Sequence, residues 1–88
     1  MKYELTTLTK TIDNTILYQI RAIGGTGKIA PGTLGGWVED ETNLSQEGEC
    51  WIDKDAAAFE NAWVDGNARV GGNAWVHGNA RVYGNARV

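Results

Sequence analysis

The chain has 88 residues, 42% of them hydrophobic, with twelve glycines, one proline and a formal net charge of −3. This composition argues against a disordered or helical chain and favours one small all-β domain. The charges form no basic stripe, so we do not expect nucleic-acid binding. No apolar run approaches the ~20 residues that cross a membrane, and Met1–Glu4 does not open a signal peptide, so we expect no membrane partner and a cytoplasmic protein.

Residues 1–42 carry no repeat and are predicted to form an N-terminal cap. The pair Asp13-Asn14 is a turn signal, and the alternating stretch that follows it to Ile23 predicts a β-hairpin. A repeat array needs such a cap because unpaired strand edges invite association with other chains. The segment 24–28, Gly-Gly-Thr-Gly-Lys, lacks the full spacing of a phosphate-binding loop and is interpreted as a surface loop.

A six-residue repeat runs through residues 43–88 and becomes nearly exact from Asn61, as Asn-Ala-Trp/Arg-Val-X-Gly. Alternation along a strand places Ala and Val on one side and the Trp or Arg between them on the other. Gly and Asn tolerate left-handed backbone, so each Gly-Asn pair suits a corner. The repeat therefore predicts a short left-handed parallel β-helix of about two and a half coils, with about eighteen residues per coil.

Counted backwards in the same phase, the repeat decays towards residue 43. Cys50 and Ile52 still occupy inward positions, and Cys50 is interpreted as a small buried hydrophobe rather than a reactive thiol. One repeat earlier Leu44 stays inward, but Gln46 stands where Val is expected. This polar residue predicts that the core ends there.

The outward position of each repeat predicts three columns of stacked side chains. With about eighteen residues per coil, the columns contain Ser45, Trp63 and Arg81; Trp51, Arg69 and Arg87; and Ala57 and Trp75. Guanidinium groups are then expected on the indole rings of Trp63 and Trp51. The columns either only stiffen the faces or form a contact surface, because Trp and Arg dominate interface hot spots. The candidate binding residues are Trp51, Arg69, Arg87, Trp63, Arg81, Trp75 and Tyr83.

No catalytic residue, metal site or cofactor is predicted. His77 is the only histidine and lies at a corner. With no carboxylate identifiable as its partner, it is interpreted as a solvated side chain rather than a general base. One histidine is also too few for the three-histidine zinc site of β-helical carbonic anhydrases.

The sequence ends inside a repeat, which predicts an apolar coil end with unpaired backbone groups. The residues expected there are Ala80, Val82, Ala86 and Val88. We predict a homodimer joined at this end, or a higher homo-oligomer. A truncated longer β-helix is the alternative.

The segments Leu34-Gly-Gly-Trp-Val-Glu39 and Asn43-Leu-Ser, followed by the Asn-Ala-Arg-Val repeats, give the chain a family resemblance. It resembles the YdcK-like left-handed β-helix proteins, found in enterobacteria and often in phages and prophages, from about Tyr18 onward. Members are often described as acyltransferases because of their hexapeptide repeats, a description that rests on fold analogy.

Three functions follow from the residues and the resemblance. The first is a non-catalytic binding protein, phage- or prophage-encoded, that holds a host protein or a small ligand, for example as an inhibitor of a bacterial defence system. The alternative is an acyltransferase-like enzyme or a fragment of one. The third is a structural phage module.

Overall fold

The computed structural model describes residues 1–24 and 29–88, so the predicted glycine-rich loop lies, from Gly25 onward, outside the described residues. The described part is all-β except for one short 3₁₀ helix, Glu41–Asn43. None of its helices is long and apolar enough to cross a membrane. The strands are β1 (Tyr3–Ile12), β2 (Thr15–Ala22), β3 (Leu34–Val38), β4 (Trp51–Ile52), β5 (Ala57–Ala58), β6 (Trp63–Val64), β7 (Arg69–Val70), β8 (Trp75–Val76) and β9 (Arg81–Val82).

The predicted N-terminal hairpin is confirmed. Strands β1 and β2 pair antiparallel around Asp13 and Asn14, whose φ angles of 50° and 65° are those of a tight two-residue turn. Strand β2 then pairs antiparallel with β3. Tyr3 and Ile20 of the hairpin are fully buried in the same apolar cluster as the first residues of the repeat region.

The repeat region winds as a coil of parallel strands with three walls. The first wall contains β3, β5 and β8; the second contains β6 and β9, with Leu44 bridged to β6; the third contains β4 and β7, with Arg87 bridged to β7. Paired residues such as Trp63 and Arg81, or Trp51 and Arg69, are eighteen positions apart. The eighteen-residue period is therefore confirmed, and so are the columns of Trp51, Arg69 and Arg87, of Ala57 and Trp75, and the pair Trp63 and Arg81. The predicted place of Ser45 in the column of Trp63 is wrong, because Leu44 is bridged to Val64 and Ser45 is therefore out of register with Trp63.

The first turn is longer than the others, which corrects the predicted end of the core. Val38 pairs with Ala58, and Leu44 is bridged to Val64, each twenty positions apart. The inward positions thus continue back to Val38, and the repeat shifts by two residues between Leu44 and Ile52. Gln46 lies in this added segment, where its Oε1 accepts hydrogen bonds from the backbone N–H groups of Lys2 and Tyr3 at 2.9 and 3.2 Å.

The expected boundary at residue 43 is likewise too late. The first parallel pair already includes Trp37, so β3 belongs to both the hairpin sheet and the coil. Each strand or bridged residue of a wall is called a rung. Between residues 37 and 87 every wall has three rungs, so the coil has about three turns rather than two and a half.

The inward residues form the core. Val38, Leu44, Ile52, Val64 and Val70 are fully buried. Burial of each such side chain contributes about 1.5–3 kcal/mol to folding. Cys50 is also fully buried, as predicted for a small core residue.

Candidate functional site

The second wall carries an exposed stack of aromatic and guanidinium groups. Arg81 lies in the rung after Trp63, and its Cζ is 4.3 Å from the centroid of the Trp63 ring, as predicted. The same guanidinium is 5.0 Å from the ring of Tyr83. Trp63 is 44% exposed and Tyr83 is 61% exposed, so both rings face solvent although Arg81 contacts them.

Asp65, which was not among the predicted residues, orients Arg81. One carboxylate oxygen accepts a hydrogen bond from Nη2 of Arg81 at 2.7 Å, and the other accepts one from Nε at 3.4 Å. This hydrogen bond raises the pKa of Arg81 above its ordinary value. The partners are sixteen positions apart, a spacing that the repeat period could have revealed.

The third wall differs from the prediction because Trp51 is buried. Trp51 occupies an outward position, yet it is only 2% exposed and packs in the cluster with Tyr3 and Ile20 of the hairpin. Alternation gives the direction of a side chain relative to its own wall but not what covers that wall. Trp51 is therefore not part of an exposed binding surface.

Arg69 contacts a carboxylate instead of an indole. Its Nε donates to Asp53 at 2.7 Å, again across sixteen positions. Arg87 lies exposed in the next rung, bridged to Arg69. The position sixteen before Arg87 is Gly71, so the sequence offers Arg87 no equivalent carboxylate.

The first wall carries a second aromatic group around Phe59. Trp75, 49% exposed, meets Phe59 edge to face with centroids 6.1 Å apart, and the imidazole of His77 stacks on Phe59 at 5.3 Å. His77 Nδ1 is 3.5 Å from Oε1 of Glu60. The expectation that His77 lacks a carboxylate partner is thus wrong, because the coil places Glu60 of the preceding turn beside the imidazole.

Glu60 occupies a corner that the later repeats give to glycine. Its φ of 60° is left-handed, a conformation that costs a non-glycine residue about 1–2 kcal/mol. Its N–H donates to the carboxylate of Glu39 at 2.7 Å, and its own carboxylate accepts from the N–H of Gly78 at 2.9 Å. These contacts hold the Glu60 side chain at the surface of the coil.

A cleft of about 460 Å³ adjoins this corner. It lies between the 3₁₀ helix and the second wall and is lined by Thr42, Glu60, Asn61, Ala62 and Trp63. Of these, only Trp63 was a predicted site residue. Its lining thus combines a carboxylate, an amide, a hydroxyl and an exposed indole.

The four residues predicted at the coil end differ in burial. Val82 is 8% exposed and belongs to the core, whereas Ala80, Ala86 and Val88 are exposed, Val88 by 54%. Within residues 1–24 and 29–88, no group of three or more His, Cys, Asp or Glu side chains is placed to hold a metal ion.

Comparison with known proteins shows a similarity to a bacterial protein over part of the chain. No model of a protein family matches the chain. Over 50 residues, the chain is 50% identical to a protein of Escherichia coli (strain K12) named "Uncharacterized acetyltransferase YdcK". The matched region covers 56% of this chain and 15% of that protein.

Proposed function

We propose that this chain is a non-catalytic binding protein that holds a partner protein on the second wall. The observation that supports this most directly is the exposed Trp63, Arg81 and Tyr83 stack on a wall built of paired strands. Trp, Tyr and Arg are the residues most enriched in interface hot spots. Because Arg81 already contacts both rings and Asp65, the surface loses little side-chain freedom when a partner binds.

A pull-down with matched variants tests this function. The double variant Trp63→Ala/Tyr83→Ala removes both exposed rings, while Ile16→Ala removes an exposed apolar side chain of the hairpin as the control. We expect the original chain and the Ile16→Ala variant to retain the same stoichiometric partner and the double variant to lose it. Equal retention by all three proteins would rule out the second wall as the binding surface.

The coil itself is proposed to be a left-handed β-helix of the hexapeptide-repeat type. Three short strands per turn, an eighteen-residue period and left-handed corner glycines such as Gly66 and Gly78 support this class. A crystal structure that reads the hand of the coil tests the assignment, and a right-handed winding would refute it.

An acyltransferase-like activity is the second candidate. It is supported by the similarity to an uncharacterized acetyltransferase, of which the chain matches only 15%, and by the contacts of His77 with Glu60 and Phe59. A histidine that contacts a carboxylate can act as the general base for an acceptor group. In this case acetyl coenzyme A should raise the melting temperature, and His77→Gln should abolish acetyl transfer to an amine. No melting shift and no transfer would exclude this activity for the chain.

A homodimer is proposed at the end of the coil that contains Ala80, Val82, Ala86 and Val88. The exposure of three of these apolar residues supports it. Sedimentation velocity should give the mass of a dimer for the chain and of a monomer for Val88→Asp. A monomer at all concentrations for the unsubstituted chain would refute it.

A further inference from the structure

We propose that the cleft beside the 3₁₀ helix binds an organic cation, namely an alkylammonium group of a small molecule or of a lysine side chain. The cleft of about 460 Å³ lies within the range of ordinary small-molecule sites. The cleft is lined by Thr42, Glu60, Asn61, Ala62 and Trp63. The carboxylate and the indole in this lining can each recognise such a cation.

The charge of the lining favours a cation. Glu60 is the one charged residue among the five described residues that line the cleft. The carboxylate of Glu39 lies beside it and accepts the N–H of Glu60, and Asp40 and Glu41 directly precede Thr42 in the chain. Oε1 of Glu60 already accepts the N–H of Gly78 at 2.9 Å and lies 3.5 Å from Nδ1 of His77, so the proposed acceptor for the ammonium group is the second carboxylate oxygen. An anionic ligand would meet like charge here.

The indole of Trp63 supplies the second element of recognition. Tryptophan is the strongest aromatic partner for ammonium groups, which bind over its ring face. Trp63 is 44% exposed, and Asn61 and Thr42 add polar atoms that can accept hydrogen bonds from an amine. A carboxylate with one aromatic ring therefore selects a cation that carries apolar groups.

Arg81 does not occupy this cleft, although it also contacts Trp63. Arg81 is paired with Trp63 and lies in the turn that follows it along the coil. Thr42 lies in the turn that precedes Trp63, because it stands two residues before Leu44, which is bridged to Val64. The two residues thus approach Trp63 from opposite directions along the coil. The charge of Arg81 is paired with Asp65 at 2.7 Å, which limits its repulsion of a bound cation.

The cation site shares Trp63 with the proposed partner surface but does not depend on that function. Of these two surfaces, Tyr83 belongs to the partner surface alone and Glu60 to the cleft alone. The variants Tyr83→Ala and Glu60→Gln therefore separate the two proposals. Loss of partner capture with unchanged cation binding, or the reverse, identifies which one has failed.

The test follows the indole N–H signal of Trp63 in ¹⁵N NMR spectra, in which the four tryptophans report separately. Choline is the probe, and its neutral carbon analogue 3,3-dimethylbutan-1-ol is the matched control for shape. We expect choline to shift the Trp63 signal in a saturable way and the alcohol to leave it unchanged. A short peptide with blocked termini and a single lysine as its one charged residue, titrated in parallel, shows whether the source of the cation is a protein side chain.

Glu60→Gln keeps the size of the side chain and should weaken binding at least about tenfold, because it removes the charged acceptor. Glu47→Gln, an exposed carboxylate outside the cleft lining, should leave affinity unchanged. The same spectra verify that each variant is folded. The proposal is overturned if neither cation shifts Trp63, if choline and the alcohol act alike, or if Glu60→Gln binds as well as the unsubstituted chain.

Discussion

Lys2 Nζ donates a hydrogen bond to the backbone carbonyl of Cys50 at 2.8 Å and lies 3.2 Å from the Sγ of that residue. These contacts join the residue before β1 to the added segment of the first turn. Both residues are buried, Lys2 with only 5% exposure. A third contact reaches the carbonyl of Gly48 at 3.5 Å. The hairpin is thus attached to the coil by a polar contact inside the protein as well as by apolar packing.

Lys2→Met should destabilise the fold because it keeps most of the side-chain volume but leaves the carbonyl of Cys50 without its donor. Unpaired buried acceptors cost about 1–3 kcal/mol. Urea unfolding followed by tryptophan fluorescence measures this loss, with the exposed Lys54→Met as the control expected to change stability by less than about 0.5 kcal/mol. Equal stabilities of the two variants would contradict the structural role of Lys2.

Tyr3 should make the fold sensitive to alkaline pH. Burial raises the pKa of its phenol, and Glu41 raises that pKa further, so the folded state favours the neutral form. The resulting stability is fully present below the ordinary tyrosine pKa of about 10 and is lost as pH rises above it. Unfolding free energies between about pH 9 and 11.5 should therefore fall more steeply for the original chain than for Tyr3→Phe.

Tyr83→Phe is the control for this titration because its phenol is 61% exposed, and it should keep the steep fall. At neutral pH Tyr3→Phe should also cost about 1–2 kcal/mol, since the one O–H of Tyr3 lies within hydrogen-bonding distance of the carbonyls of Glu41 and Leu44. Parallel pH curves for the original chain and Tyr3→Phe would show that Tyr3 is not the group responsible.

Gly36→Ala should disrupt the first turn for steric reasons. A Cβ at this position would overlap the backbone oxygen of Ala56 and the side chain of Ile52. The strand would have to move away from the coil, which we expect to cost at least about 3 kcal/mol. Thermal unfolding measures the change against Gly24→Ala, where the nearest atom is 3.6 Å away and less than about 0.5 kcal/mol is expected.

Glu60→Gly should not destabilise the protein, although it removes a carboxylate with two contacts. The left-handed backbone is relieved of about 1 kcal/mol, which offsets the loss of an exposed hydrogen bond to Gly78. Gly72→Ala makes the opposite change at a corner with φ of 57° and no atom within 4 Å, and should cost about 1 kcal/mol. A loss above about 2 kcal/mol for Glu60→Gly would mean that Glu60 serves stability rather than binding.

The period of the repeat was the most predictable part of the fold. Ala and Val at six-residue spacing indicate which side chains point inward, and three repeats per turn then place Trp63 beside Arg81. These relationships are local or periodic, so they follow from the pattern alone. The hairpin was predictable for the same reason, because Asp13 and Asn14 have the residue types that a two-residue turn requires.

The errors arose where periodicity stops. Eight residues rather than six separate Leu44 from Ile52, and constant counting cannot detect such an insertion. Trp51 is buried because the hairpin packs on it, and the Lys2 contact with Cys50 spans 48 positions. The cleft also joins distant segments, since Thr42 meets Trp63 only after the chain has completed a turn.

The replacement of the repeat glycine by Glu60 is visible in the sequence. Later corners place Gly at the equivalent position, as at Gly66, Gly72 and Gly78, and all three have positive φ. A charged residue at that position keeps a left-handed backbone at a cost in folding free energy. Such a cost at Glu60 indicates a functional role for this residue.

The eighteen-residue register makes the coil a unit that tandem duplication could lengthen. From Trp51 to Val70 every strand is paired with an equivalent segment eighteen positions later. A second copy of residues 67–84 would add one complete turn of the coil. Its outward Arg, Trp and Arg side chains would stack on the existing ones, one on each of the three walls. Insertions of other lengths would rotate every later residue onto the wrong wall unless a corner absorbed them, as the segment between Leu44 and Ile52 does.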